Sequence, residues 1–133
     1  MQELDLICDE GMTSLKLKHR GPTDSTIKIE SLRVRVSCSD CVAELEVESS
    51  SWSSFADLFL PIDDESSWSK AWVSNSGEWK LLIQRDEHGQ HTIVSELDSL
   101  LDYHPWKLIT RFDLSGDRLL DTAKSVRSFI GQT

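Results

Sequence analysis

One stretch limits the fold more than any other. Leu32, Val34 and Val36 precede Cys38-Ser39-Asp40-Cys41, and Ala43, Leu45 and Val47 follow it. A two-residue turn at Ser39-Asp40 sets Cys38 opposite Cys41, Val36 opposite Ala43, Val34 opposite Leu45 and Leu32 opposite Val47. On the other face Arg35 then meets Glu44, and Arg33 meets Glu46. One register thus pairs apolar with apolar and base with acid, and a slip of one residue would lose both sets. Ser-Asp is not the favoured hairpin turn, which leaves a longer loop open. An antiparallel hairpin over these residues is the expectation around which the rest is read.

The period of two continues on both sides. Leu4, Leu6 and Cys8 alternate with polar neighbours, as do Leu15, Leu17 and His19 with Lys16, Lys18 and Arg20. Gly21-Pro22-Thr23-Asp24 has turn chemistry. Ile27 and Ile29 fall out of phase with Leu32, which predicts a bulge or bend near Glu30-Ser31. Trp52, Phe55, Ala56 and Phe59 recur at helical spacing after a serine cap and before Pro61, predicting a short amphipathic helix. Residues 62 to 69 read as an exposed loop with Trp68 as its one anchor. Strands are expected at 71–74, 78–85, 91–97 and about 106–114. A last helix begins at Ser115-Gly116-Asp117 and buries Leu119, Leu120, Ala123, Val126, Phe129 and Ile130.

No internal repeat and no linker is visible. Residues 1–133 are therefore expected to form a single α+β domain. It would be a mainly antiparallel sheet of about six to eight strands, with a short central helix and a C-terminal helix packed on it.

Charge excludes several functions. Acids outnumber bases 23 to 14, a formal net charge of −9. Phosphate backbones and anionic lipid would repel such a chain, and Lys and Arg do not cluster along it, so neither nucleic acid nor a membrane surface is expected as a partner. No apolar run is long enough for a membrane span. The acidic N-terminus does not resemble a secretory signal, and three cysteines is an odd count, so a reduced, cytoplasmic home is expected.

Catalytic and metal motifs are weak. Cys38-x2-Cys41 has the spacing of a zinc knuckle or redox pair, but only Cys8 remains to add, and two small residues flanking a turn explain the letters with less. His88 and His91 with Asp86 and Glu87 would need a third converging ligand, and a polar hairpin tip accounts for them. His19 and His104 stand alone. No serine sits in a nucleophile elbow, and the six glycines form no phosphate loop. No catalytic residue, metal or cofactor is assigned. A small enzyme or ligand-binding protein remains the least favoured of three readings.

The functional signal lies in where the charge resides. Between Arg35 and Lys70 there is no Lys or Arg, whereas the interval holds Asp40, Glu44, Glu46, Glu48, Asp57, Asp63, Asp64 and Glu65. A solvated face that keeps the protein soluble accounts for much of this. Glu44 and Glu46 are partly neutralised in the hairpin, but Asp57, Asp63, Asp64 and Glu65 have no base nearby in sequence. They would steer a cationic protein surface. Trp52 and Trp79 fit helix and strand core positions and Trp106 sits at a strand start, whereas Trp68 and Trp72 flank the acidic loop and are candidates for an exposed hot spot. The expected partner-binding set is Asp57, Asp63, Asp64, Glu65, Trp68 and Trp72.

The aromatic spacing from Trp52 onward carries a resemblance. Trp52-x2-Phe55-x2-Leu58 is followed by the acidic loop, Trp68 and Trp72, then Gly77-Glu78-Trp79-x-Leu81. After these come the His88-Gly-x-His91 turn, Trp106, Phe112-x-Leu114 and a helix beginning with Leu119. Over roughly its last 80 residues the chain resembles small bacterial proteins of the WapI-type immunity group, encoded beside polymorphic toxins. The N-terminal third departs from that pattern. The resemblance implies a cytoplasmic α+β protein that binds and neutralises one cognate toxin domain, many of which are basic nucleases. The alternative is another protein-interaction module, an adaptor or secretion chaperone, using the same face.

Overall fold

The computed structural model describes residues 3–7, 13–19, 30–49, 52–60, 67–100 and 105–130. Its first four strands are β1 (Glu3–Ile7), β2 (Ser14–His19), β3 (Glu30–Ser37) and β4 (Val42–Ser49), joined as an antiparallel meander in the order β1-β2-β3-β4. Helix α1 (Trp52–Leu58) follows. A second antiparallel meander comprises β5 (Trp68–Val73), β6 (Trp79–Arg85), β7 (His91–Asp98) and β8 (Lys107–Leu114), and helix α2 (Gly116–Ile130) closes the order. The fold is α+β with two four-stranded sheets, so the expected strands divide where α1 intervenes. A four-strand meander followed by a helix occurs twice, a repeat of plan that the sequence does not display.

The hairpin of β3 and β4 has the register its side chains predict. Leu32 lies opposite Val47, Val34 opposite Leu45 and Val36 opposite Ala43, and the amide of Cys38 donates to the carbonyl of Cys41 at 2.9 Å. Cys38 and Cys41 form a disulfide across the turn. β1 and β2 extend the pattern, giving inward rows Leu4–Leu17–Val34–Leu45 and Leu6–Leu15–Val36–Ala43. Glu30 and Ser31 pair regularly with Ser49 and Glu48, so the strand is unbroken there. The predicted extended run at Ile27 and Ile29 lies outside the described residues.

The second sheet turns Trp72, Leu81, Ile83, Ile93, Leu97, Phe112 and Leu114 inward. β5 starts at Trp68, inside the stretch read as loop. Its inward positions are Trp68, Lys70 and Trp72, and the lysine in the middle disguises the alternation. α1 buries Trp52, Phe55, Ala56 and Leu58, with Phe59 buried just beyond its last turn. Phe55 meets the Trp72 ring at 5.0 Å and the Trp79 ring at 5.4 Å, edge-on or tilted, as aromatic quadrupoles prefer. Buried residues from both sheets and both helices form one core cluster.

In α2 the Ser115 hydroxyl accepts from the amide of Arg118 at 3.4 Å, an N-cap. Leu119, Ala123, Val126 and Phe129 are buried. Leu120, expected inside, is exposed. It sits one helical step of about 100° from the stripe through 119, 123, 126 and 130. Among the described residues no helix is long and apolar enough to cross a membrane.

Candidate functional site

The expected partner-binding residues divide among three environments. Asp63, Asp64 and Glu65 lie outside the described residues. Trp72 is in the core: only 7% exposed, it stacks on Trp52 at 5.5 Å and packs against Phe55 and Trp79. Its ring offers a partner almost no surface, and its contribution is to hold α1 against β5. Asp57 and Trp68 reach the outside.

Asp57 occupies the last turn of α1 and is exposed, but bases from distant segments approach it, correcting the reading that it has none. Arg127 of α2 places Nη2 3.9 Å from its carboxylate. Both groups are well exposed, so the pair screens Asp57 without fixing it. Lys70 donates through Nζ to the carbonyls of Asp57 and Leu60, placing a cation at the C-terminal end of α1, where the helix dipole favours one. Partial burial draws the Lys70 ammonium below its ordinary pKa, and the Asp57 charge opposes that shift.

Trp68 is half-buried. The Lys70 ammonium lies 5.6 Å from its ring centroid, a cation–π distance, and the His91 ring lies 5.7 Å away. The Trp68 indole N–H is buried with no acceptor among the described residues, and so is Nδ1 of His91. Trp68, Arg85, His91 and Leu114 form one transverse row across the end of the second sheet. Beside it is an open cleft of about 490 Å³, bordered by Ser67 to Ser69, Gln84 to Asp86, Gln90 and Thr92.

The β6–β7 turn shapes one wall of this cleft. Asp86 accepts from the amides of His88 at 2.8 Å and Gln90 at 2.9 Å. The Gln90 bond first, with that of His88 and the nearby His88 and Arg85 charges, holds the Asp86 carboxyl below the usual range. Gly89 supplies the positive φ of 84° that the turn requires, and a Cβ there would stand 3.4 Å from the Arg85 guanidinium. His88 and His91 part company here: His88 is exposed in the turn, while His91 is buried. Among the described residues no three His, Cys, Asp or Glu side chains converge as metal ligands.

Burial holds His91 below its ordinary pKa of 6.5, with the Arg85 charge acting the same way and Asp86 opposing. The sign follows from linkage. The unfolded chain takes up a proton near 6.5 that the folded chain resists, so this contribution to stability is intact above 6.5 and falls as pH drops towards the lowered folded value. Thermal melts between pH 8 and 5 are expected to show the native protein losing stability relative to His91→Phe below about pH 6.5. A constant difference across that range would contradict the assignment.

The sequence reading missed a second charged feature. Lys16, Lys18, Arg33 and Arg35, from two different strands, meet on the outer face of the first sheet around a groove of about 310 Å³. This corrects the statement that bases do not cluster, because cross-strand register brings together what the chain keeps apart. Aligning β2 on β3 by their apolar rows is the signal that finds it. Comparison with protein-family models, curated proteins and solved structures gave no match to this chain.

Proposed function

We propose that this protein is an immunity-type inhibitor that binds and neutralises a cognate, basic bacterial toxin domain through its acidic surface. The observation that carries the reading is the base-free interval between Arg35 and Lys70: its described carboxylates, Asp40, Glu44, Glu46, Glu48 and Asp57, are all exposed. One-signed exposed charge raises the encounter rate with an oppositely charged protein and repels the wrong partners. In this reading Asp57, Asp63, Asp64 and Glu65 supply attraction, and the half-buried Trp68 supplies the contact that holds. Trp72 acts from beneath, through α1. The resemblance of the aromatic spacing to that of WapI-type immunity proteins supports the same reading, with the cytoplasm as its setting.

Inhibition would be stoichiometric, by plugging a cationic catalytic cleft or capping a site beside it. Co-purification with the product of the adjacent gene at low and high salt tests this. A one-to-one complex that weakens as salt rises is the expected result, since exposed charges are screened within about 8 Å at physiological ionic strength. No complex, or one indifferent to salt, would overturn the reading.

A further inference from the structure

The outer face of the first sheet is ordered by sign. Its cross-strand rows read Asp5–Lys16–Arg35–Glu44 and Glu3–Lys18–Arg33–Glu46. Each row is acid, base, base, acid. Like charges directly opposite one another destabilise a strand pair, and here β2 and β3 make two such pairs side by side. The four bases stand at the corners of a rectangle roughly 7 Å along the strands and about 5 Å across them.

A ladder giving every base its own acid would call for no ligand. This one falls short at its centre. Lys16 reaches Asp5 at 3.9 Å and Lys18 reaches Glu3 at 3.8 Å, both across half-exposed side chains. Glu44, the register partner of Arg35, pairs instead with Arg33 at 3.3 Å, and Glu46 accepts from the Ser31 hydroxyl at 3.0 Å. Arg35 is left without an ion pair among the described residues, and the Arg33 Nε–H is buried without an acceptor.

We propose that this groove binds a small oligophosphate anion. Its lining is Glu3, Lys16, Lys18, Arg33, Arg35 and Glu44, with no apolar or aromatic side chain, so a ligand carrying a ring or a tail gains nothing from it. Guanidinium forks match phosphate oxygens two at a time, and lysines add point charge. Size follows from the rest of the molecule. A compact anion stays close to the four bases, whereas a nucleic-acid backbone would run out over a protein of net charge −9. A second copy of this chain is a poor occupant, since two such faces laid strand on strand set bases against bases. The groove borders the acidic surface of the proposed function at Glu44, but its test uses no toxin and stands or falls without one.

Titration calorimetry of the intact protein with tripolyphosphate at low salt tests the assignment. Saturable one-to-one binding is expected. Arg35→Gln should weaken it about tenfold or more, the loss of one charge-assisted contact. Arg111→Gln, an exposed base on the other sheet, should leave it unchanged. Glu44→Gln frees the Arg33 head group and should tighten binding severalfold, a gain that a misfolded variant would not give. The proposal is overturned by an absence of saturation, by equal losses in the Arg35 and Arg111 variants, by no gain in Glu44→Gln, or by tighter binding of polyglutamate.

Discussion

Trp79→Ala is expected to lower unfolding free energy by about 3–5 kcal/mol, the range for removing a large aromatic from a packed core. Trp79 is wholly buried where α1 meets the second sheet, within 5.4 Å of Phe55 and 5.5 Å of Trp72 between ring centroids. Its indole N–H donates to Ser95 Oγ at 3.0 Å, itself buried, so truncation leaves a cavity and removes the donor to a buried hydroxyl. Its backbone also closes the β5–β6 turn through Ser74, which alanine would preserve. The loss therefore belongs to the side chain. Trp79→Phe should cost clearly less than alanine, since much of the volume stays. With small domains holding about 5–15 kcal/mol in total, the alanine variant would sit near the edge of folding. Urea denaturation with an unchanged slope reads the difference directly. A loss below about 1 kcal/mol would mean that the core is not organised around this ring.

Reversing Asp63, Asp64 and Glu65 to lysine is expected to slow association with a basic toxin partner by on the order of 10- to 100-fold at low salt. Three carboxylates become three cations in the interval that otherwise lacks them. Asp57→Lys should act more weakly, because Arg127 and the nearby Lys70 already offset that carboxylate. Dissociation should change less than association, as expected when long-range steering rather than close contact is removed. Stopped-flow or surface-capture kinetics at several salt concentrations separates these quantities. Equal association rates and equal salt slopes for native and reversed proteins would remove the electrostatic basis of the proposed function.

Much of this architecture is written in local pattern. The register of β3 and β4 follows from side chains within 16 residues of one another, where apolar and charged positions choose the same pairing. α1 is legible for a similar reason, as its apolar stripe lies within two turns. What the pattern conceals is what depends on distant neighbours. Lys70 faces inward at the end of α1, so the first half of β5 reads as loop until the helix is in place. Trp72 borders an acidic loop in sequence but stacks on Trp52 in space. Asp57 gains Arg127 only once α2 returns to α1. Arg33 and Arg35 look neutralised by their hairpin acids until β2 brings Lys16 and Lys18 alongside. Burial alternation tells which face a side chain occupies, and it is silent on what arrives from another element.

Among the described residues the first sheet ends at β4, whose outward carboxylates Glu44, Glu46 and Glu48 stand on an outer strand with no strand paired beyond it, although the Glu48 carbonyl accepts from the Asn75 amide at 3.0 Å. A row of unpaired peptide groups is a template on which another chain can add, and charge along it is the usual deterrent. The acids that attract a basic protein in the proposed function would thus also oppose strand addition at this edge. In that reading, deterrence at the edge and affinity for the partner draw on the same carboxylates, and a change that blunts one erodes the other.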